Sequence, residues 1–491
     1  MLEYMDKNYV EGESPQVKLL YLEHIRNPFK FMKHASSLVR KGCKIAAIKA
    51  GYSEAGSRAA SSHTGAMATS DTVIRALFKI SGVVYCSGRE ELITIACVFL
   101  SKELKGENIA IITHAGGSAV MLTDALTHRG LKVPQIEEEK AGSLLKKLHP
   151  GSSVANPIDF LATGTANQLG EIIDFCEKLD NIDAMIVVFG SPGLFRVKDV
   201  YALLDKKIHR CSKPIYPVLP SLINAKSEID FFLSKGHINF PDEVTLGKAL
   251  PYVYFAPKPT YGITHLEKIA DASVRSIISQ SGNGYLAADE TRELMKAAGI
   301  DVVKERICVT ELCLQEAVRE INFPVVMKVT GPVHKTEVGG VSLNVNSAEL
   351  MEAEFNRLMR IPDARGVLIQ QMLEGEELFV GAVRQSNFGH LIVCGLGGIF
   401  VEVLNDISYG LAPLTRDEAR TMVRSLKGYK IIEGYRSKEG VNEELFIDAI
   451  VKIASLVHLA PEISELDINP FMANQHQLVA VDVRVNIEKR V

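Results

Sequence analysis

The sequence predicts an α/β protein in which two parallel-sheet domains precede an α+β domain. Short, wholly apolar runs, typical of buried parallel strands, alternate with helical stretches through the first half of the chain. After a proline-rich segment, strands and helices follow one another without that regular alternation. A length of 491 residues also favours about three domains over a single core.

The domain boundaries follow from these runs. In 1–104, the runs VKLLYL, KIAAIKA and GVVYC alternate with helical segments. In 105–250, the pattern restarts with IAIIT, a glycine turn and a helix, and continues with AMIVVFGSPG and PIYPVLPS. Segment 251–280 opens with PYVYFAPKPTYGIT and is predicted to be a linker. The third domain, 281–491, opens with the helical LAADETRELMKAAGI, and strands such as FPVVMKV and LFVGAVR follow.

Composition narrows the classes of function. Lys and Arg number 55 against 59 Asp and Glu, so no cationic excess is available for a nucleic-acid backbone. The 8 cysteines are scattered without zinc-type spacing and indicate thiols in a reducing compartment. The first residues are acidic, and no apolar run approaches ~18 residues. We therefore expect a cytoplasmic protein that binds neither nucleic acid nor membrane.

A nucleotide site is predicted around a lysine inside an apolar strand. Lys328 in PVVMKV is followed by VLIQQMLEGEELFVG, GLGGIFVE, ELDINPF and AVDVRV. An isolated strand lysine is also compatible with an edge residue whose stem covers apolar surface. In this order, however, the segments supply a cation for phosphates, a hinge for adenine, a glycine turn and two oxygen ligands. Asn469 and Asp482 suit Mg²⁺, which takes few protein oxygens beside phosphate oxygens.

A second site is predicted in the loop AGYSEAGSRAASSHTGAMATSD. Its histidine, His63, is flanked by small residues and lies between a predicted strand and a helix. The alternative is a polar loop with a surface histidine. Backbone N–H groups and a helix N-terminus there would favour a bound phosphoryl group, and a neutral imidazole is nucleophilic near pH 7.

These motifs, in this order over nearly the whole chain, resemble the ADP-forming acyl-CoA synthetases, the acetate–CoA ligase branch of the succinyl-CoA synthetase superfamily. HKTEVGGV and ELDINPF are specific to that group. The resemblance implies flavodoxin-like, succinyl-CoA-ligase-like domains followed by an ATP-grasp domain. It also implies that Lys328 binds phosphate and that Asn469 and Asp482 hold Mg²⁺.

The resemblance assigns further residues to nucleotide binding. Gln371, Met372 and Leu373 match the hinge of the ATP-grasp fold, and Glu377 matches the glutamate that follows it. ATP or ADP, Mg²⁺ and CoA are the implied cofactors.

The resemblance also assigns the covalent chemistry. The histidine of S-H-T-G-A is phosphorylated in the family, which implies this role for His63, and Glu23 matches the glutamate that hydrogen-bonds it. Gly116 and Gly117 match the second phosphate-facing helix start, where His114 replaces the usual asparagine.

A second relay histidine is implied by PVHKTEVGG. His334 matches a proposed phosphoryl carrier between the nucleotide and the first histidine, although Thr336 and Glu337 replace serine and aspartate. Asp467 matches the acidic residue thought to steady a phosphohistidine near the nucleotide.

The implied activity is that of a ligase that forms carbon–sulfur bonds: acyl-CoA + ADP + Pi ⇌ acid + CoA + ATP, through a phosphohistidine. Acetate is the default acid, with branched-chain and aryl acids open. The family's N-terminal CoA-binding domain is missing here, so we expect that domain or a subunit to act in trans and an oligomer to form. Two alternatives are open, a regulatory or protein-acetyltransferase-related relative that binds ATP or acyl-CoA, and a truncated, non-catalytic remnant.

Overall fold

The computed structural model describes residues 1–51, 70–191, 197–260, 266–331, 338–398, 406–436 and 438–489. The chain divides into two compact units, Met1–Tyr261 and Gly262–Val491. Two predicted site residues, His63 and His334, lie outside the described residues.

The N-terminal unit begins with a helix and a parallel sheet of order β1-β2-β3. Its elements are α1 Leu2–Lys7, β1 Val17–Leu22, α2 Pro28–Arg40, β2 Lys44–Lys49, α3 Asp71–Ser81, β3 Val84–Cys86 and α4 Arg89–Leu100. Helix α2 starts where Asn27 accepts a hydrogen bond from the Lys30 amide at 2.9 Å. Strand β2 is central and almost wholly buried, which explains its apolar sequence.

A second parallel sheet in the same unit has the order β5-β4-β6-β7. Its strands are β4 Ile109–Thr113, β5 Ile158–Asp159, β6 Ala184–Val188 and β7 Ile215–Val218. Its helices are α5 Gly116–Thr127, α6 Glu138–Leu145, α7 Ala166–Glu177, α8 Lys198–Arg210, α9 Lys226–Ser234 and α10 Glu243–Tyr254. Every residue of β4, β6 and β7 is buried, in agreement with the continuous apolar runs.

The segment predicted as a linker, 251–280, differs from the prediction at both ends. Residues 251–254 complete α10, and a further helix, α11, spans Asp271–Gln280. Pro251 lies inside α10 and is buried there. The sequence predicts a break in regular structure at this proline, but packing accommodates it within the helix. Helix α11 places Val274 and Ile278 in the core of the C-terminal unit.

The described part of the C-terminal unit contains two large antiparallel sheets and one short hairpin. The smaller has the order β11-β10-β12-β9 and is built from β9 Glu305–Cys308, β10 Val325–Thr330, β11 Val341–Val345 and β12 Gly366–Gln371, with α13 Glu311–Glu320 and α14 Ala348–Leu358. Its core combines the inward residues of β10 and β12 with one face of each helix.

The larger sheet has the order β15-β14-β13-β18-β20-β8, with β19 paired to β18. Its strands are β8 Gly284–Tyr285, β13 Glu376–Arg384, β14 His390–Leu396, β15 Ile407–Leu411, β18 Ile463–Ala473, β19 Leu478–Ala480 and β20 Val483–Ile487, and a short hairpin joins β16 Gly434–Tyr435 to β17 Lys438–Glu439. The remaining helices are α12 Ala288–Ala297, α15 Arg416–Arg424, α16 Tyr429–Glu433 and α17 Glu443–Leu459. Helix α17 contributes nine buried apolar residues to the hydrophobic core beside this sheet.

Within the described ranges, no helix has both the length and the apolar character needed to cross a bilayer.

Candidate functional site

The predicted phosphate-binding lysine contacts a buried glutamine on the neighbouring strand. Lys328 Nζ in β10 donates a hydrogen bond to Gln370 Oε1 in β12 at 3.1 Å. Gln370 is 2% exposed, and its Nε2 donates to Glu305 Oε2 at 2.7 Å and to the Val481 carbonyl oxygen at 3.0 Å. The glutamine thus links the smaller sheet to the segment that precedes β20 in the larger one.

Glu305 is a carboxyl group that the fold does not favour in its charged form. Burial raises its pKa, and the negative charge of Asp482 adds to the rise. The hydrogen bond from Gln370 and the positive charges of Arg292 and Lys328 oppose it. Arg292 Nη2 lies 3.7 Å from Glu305 Oε1. Lys328 and Asp482, distant in sequence, therefore lie in one electrostatic environment, as the nucleotide-site prediction requires.

The predicted metal residues lie together on adjacent strands. Asp467 and Asn469 alternate with buried core residues along β18, so both face away from the core. The Asn469 backbone N–H donates a hydrogen bond to the Asp482 backbone carbonyl oxygen at 3.1 Å. Asp467 pairs with Arg484 across strands β18 and β20. Burial raises the pKa of Asp467, and the nearby charge of Asp482 raises it further. Two carboxyl groups that repel each other, beside an amide oxygen, fit a Mg²⁺ ion.

The predicted glutamate after the hinge lies against the glycine turn. Gly397 N donates to the Glu377 carbonyl oxygen at 2.6 Å. A Cβ atom at Gly398 would lie only 1.9 Å from Glu377 Oε2 and would displace that carboxylate, and the left-handed φ of +61° favours glycine there. Gly398 N also lies 3.5 Å from Asn469 Oδ1. Glu377, the start of the glycine turn and the predicted metal residues therefore adjoin one another.

The predicted hinge follows β12 directly. Gln371 N donates to the Lys304 carbonyl oxygen at 3.1 Å, and Met372 N donates to the Pro324 carbonyl oxygen at 2.9 Å. These two amides are engaged within the fold. Leu373 follows, half-buried, before the chain enters β13.

In the N-terminal unit, Glu23 lies at the carboxyl edge of the first sheet. It follows β1, and Leu22 pairs with Lys49 at the end of β2. Lys49 is 6% exposed, and its Nζ donates to the Ala50 carbonyl oxygen at 2.5 Å. Burial lowers the pKa of Lys49, against the opposing charges of Asp71 and Glu23. A buried cation therefore lies immediately before the loop that contains His63.

The glycine turn after β4 forms the start of α5. Gly116 and Gly117 are its first two residues, at the carboxyl edge of the second sheet, where α/β proteins usually bind ligands. A Cβ atom at Gly116 would lie 3.1 Å from Asp159 Oδ2, at the end of β5. The ring of His114 stacks on Phe189 with centroids 4.4 Å apart, and burial lowers the pKa of His114. The ring of His114 is thus packed against Phe189 at this edge.

The structure therefore brings one group of predicted residues together in the C-terminal unit, and Glu23, Gly116 and Gly117 lie in the other unit. Sequence reasoning missed Gln370, Glu305 and Lys49. For Lys49 a signal was present, a cation in the otherwise apolar run KIAAIKA, the same signal that identified Lys328.

Two domain families match the chain. The succinyl-CoA ligase like flavodoxin domain matches residues 1–99, and the ATP-grasp domain matches residues 278–487. The acetate–CoA ligase [ADP-forming] I of Archaeoglobus fulgidus is 33% identical over 100% of this chain and 72% of its own length. The chain belongs to the ADP-forming acetate–CoA ligase family.

Two further members of the family differ in substrate name and in chain organisation. The 4-hydroxybutyrate–CoA ligase [ADP-forming] of Nitrosopumilus maritimus is 29% identical over 93% of this chain and 68% of its own length. The acetate–CoA ligase [ADP-forming] I subunit beta of Pyrococcus furiosus is 40% identical and covers 44% of this chain and 97% of its own length. The family therefore includes members whose parts lie on separate chains.

Proposed function

We propose that this protein is an ADP-forming acyl-CoA ligase that interconverts acyl-CoA, ADP and phosphate with a carboxylic acid, CoA and ATP through a phosphohistidine. The observation that carries the proposal is the group formed by Lys328, Gln370, Glu305, Asp467 and Asp482 in a chain of this family. This group combines a lysine that can bind phosphate with carboxylates whose mutual repulsion a bound metal cation would reduce.

In the proposed nucleotide site, each residue has a distinct task. Lys328 binds the phosphates of ATP, oriented by Gln370. The backbone around Gln371, Met372 and Leu373 binds adenine; because the first two amides are engaged, the Leu373 amide is the donor available for it. The Glu377 carboxylate, which lies against the turn at Gly398, contacts the bound nucleotide.

Asp482 and Asn469 would hold Mg²⁺, and Asp467 lies beside them. When bound, Mg²⁺ would neutralise the phosphate charge that builds up during phosphoryl transfer. The mutual repulsion of Asp467 and Asp482 supports this assignment, because a divalent cation removes it.

In the proposed covalent step, an imidazole nitrogen of His63 attacks a phosphoryl group; a P–N bond forms as the P–O bond to the leaving group breaks. Glu23 accepts a hydrogen bond from the other imidazole nitrogen and fixes the tautomer. Gly116 and Gly117 present amide donors to the phosphoryl group at the acyl side. His334 relays the group at the nucleotide side, and Asp467 steadies it there.

CoA and most of the acyl pocket are assigned to a CoA-binding domain or subunit acting in trans, within an oligomer in the cytoplasm. The separate subunits known in the family support this organisation. The edge strand β1 also exposes apolar side chains, since Leu19 is 44% and Tyr21 65% exposed. Acetate is the proposed acid.

Labelling with γ-³²P-ATP and Mg²⁺ tests the proposal. The parent should acquire an acid-labile, base-stable label and release ADP. His63→Ala should lose the label, His334→Ala should bind ATP but label His63 slowly, and the exposed His149→Ala is the matched control. Equal labelling of His63→Ala and the parent would exclude His63 as the phosphorylated residue.

A further inference from the structure

Three side chains with metal-ligand chemistry converge in the N-terminal unit, at the end of α8 and after α9. Asp205 and His209 lie four residues apart on the last turns of α8, and His237 follows α9. His237 Nε2 lies 2.6 Å and His209 Nδ1 lies 3.5 Å from the same oxygen, Asp205 Oδ1. Residues four apart lie on one face of a helix, so α8 presents a carboxylate and an imidazole side by side.

The burial of the three side chains suits a site that is fixed on one side and open on the other. The side chain of His237 is 6% exposed, and its ring stacks on Phe232 with centroids 4.6 Å apart. Phe232 is itself 1% exposed in the core, so the imidazole of His237 has a fixed position. The side chain of His209 is 66% exposed and that of Asp205 is 30% exposed, which leaves an approach from solvent.

A simple hydrogen bond between Asp205 and His237 explains only part of this arrangement. His209 Nδ1 lies 2.8 Å from the Asp205 backbone carbonyl oxygen, and its ring lies beside that of His237, with centroids 5.0 Å apart and planes at 74°. In one tautomer His237 Nε2 and His209 Nδ1 donate N–H groups to Asp205; in the other tautomer the same nitrogens present lone pairs that a cation beside the carboxylate would bind. Lys235 is the cation near enough to act on Asp205, and it also lies 5.3 Å from the Phe231 ring.

We propose that Asp205, His209 and His237 bind one divalent transition-metal ion of the Zn²⁺ class. One ligand atom from each residue lies within 4.8 Å of the others. Tetrahedral Zn²⁺ with bonds of about 2.1 Å separates its ligand atoms by about 3.4 Å, so side-chain movements of about 1 Å complete the site. Two imidazole nitrogens and one carboxylate oxygen favour Zn²⁺, Co²⁺ or Ni²⁺ over Mg²⁺, which prefers oxygen ligands. Solvent supplies the remaining position.

The bound ion joins the end of α8 to the segment after α9. Neither segment is joined to the other by a disulfide, since Cys211, next to α8, is a free thiol. An ion that binds only the folded unit raises its stability by an amount that grows with the logarithm of the free ion concentration above Kd. The site therefore acts as a structural staple, independent of the ligase reaction.

The test uses the full chain after EDTA treatment, with excess Mg²⁺ present to saturate sites built from oxygen ligands. Zn²⁺ binding is measured by equilibrium dialysis, and Co²⁺ is titrated to follow its visible absorption bands. The parent should bind one equivalent without the intense charge-transfer band of a thiolate ligand, and saturating Zn²⁺ should raise Tm by about 5 °C.

His209→Gln and His237→Gln should each weaken Zn²⁺ binding by at least about 10-fold, and His149→Gln, elsewhere on the surface, should not. Because His209 is exposed, His209→Gln should retain the fold even if His237→Gln does not. Unchanged Zn²⁺ affinity in His209→Gln, or no stoichiometric binding by the parent, would overturn the proposal.

Discussion

Gln370 offers the sharpest test of the proposed nucleotide site, because one side chain joins three parts of it. Its amide accepts a hydrogen bond from Lys328 at 3.1 Å and donates to Glu305 at 2.7 Å and to the Val481 carbonyl oxygen at 3.0 Å. Gln370→Leu keeps the side-chain volume nearly unchanged but removes all three contacts. The loss is therefore electrostatic and does not create a cavity.

The expected cost follows from the partners that remain. A hydrogen bond to a charged group contributes about 1.5–3 kcal/mol, and one to a neutral carbonyl about 1 kcal/mol. Glu305 retains Arg292 at 3.7 Å, so the loss of its hydrogen bond from Gln370 should cost a free energy at the lower end of the range for charged groups. Together, at the lower end of these ranges, the three contacts give a decrease of roughly 4 kcal/mol in the free energy of unfolding of the C-terminal unit. Affinity for Mg-ATP should also fall, since Lys328 loses the group that orients it.

Urea unfolding with and without Mg-ATP measures both effects. The transition that Mg-ATP shifts belongs to the C-terminal unit, so the two units need not be separated. Gln315→Leu on the exposed face of α13 is the matched control and should change stability by less than about 0.5 kcal/mol. If Gln370→Leu behaves like Gln315→Leu in both stability and ATP affinity, the reasoning is wrong.

Four further substitutions probe other parts of the proposed mechanism. Asp482→Asn and Asn469→Ala should each weaken the thermal stabilisation by Mg-ATP, with about 10-fold or greater loss of affinity, and leave Tm without ligand within a few degrees of the parent. Asp467→Asn should unfold at higher urea than the parent at pH 7 but turn over more slowly. The raised pKa of Asp467 means that the folded state binds its proton more readily, so the stability gap should shrink as pH falls towards 4, which urea titrations at several pH values would show. Lys49→Met should slow phosphorylation of His63 by about 10-fold, which rapid-quench labelling measures. The substitution should not lower stability, because burying the ammonium group of Lys49 costs free energy that an apolar side chain does not.

Local patterns in the sequence predict the strands and most residues of the proposed nucleotide site. The lysine of β10 interrupts an alternating apolar strand, and the residues of ELDINPF alternate between core and site along β18. Each of these signals lies within about six residues, the range over which strand periodicity is readable.

The residues that were missed depend on contacts between distant parts of the chain. Gln370 is one of two consecutive glutamines, and nothing local indicates which one is buried; the Val481 carbonyl oxygen that fixes it lies 111 residues away. Glu305 lies at the start of a short strand with no motif around it, and its role depends on Gln370 and Asp482. The helical ends of the predicted linker were missed because packing outweighs the local effect of Pro251.

The site holds acidic groups where the fold alone would prefer neutral ones. Burial raises the pKa of both Glu305 and Asp467, and the charge of Asp482 contributes to each shift. In the absence of ligand, these carboxylates therefore lower stability near pH 7. In the proposed site, a bound cation would reverse that penalty, because its positive charge would favour the ionised form of each carboxyl group. The free energy of unfolding that these carboxylates cost the free protein would thus be regained when Mg-nucleotide binds. The same acidic residues would therefore link ligand binding to the stability of the C-terminal unit.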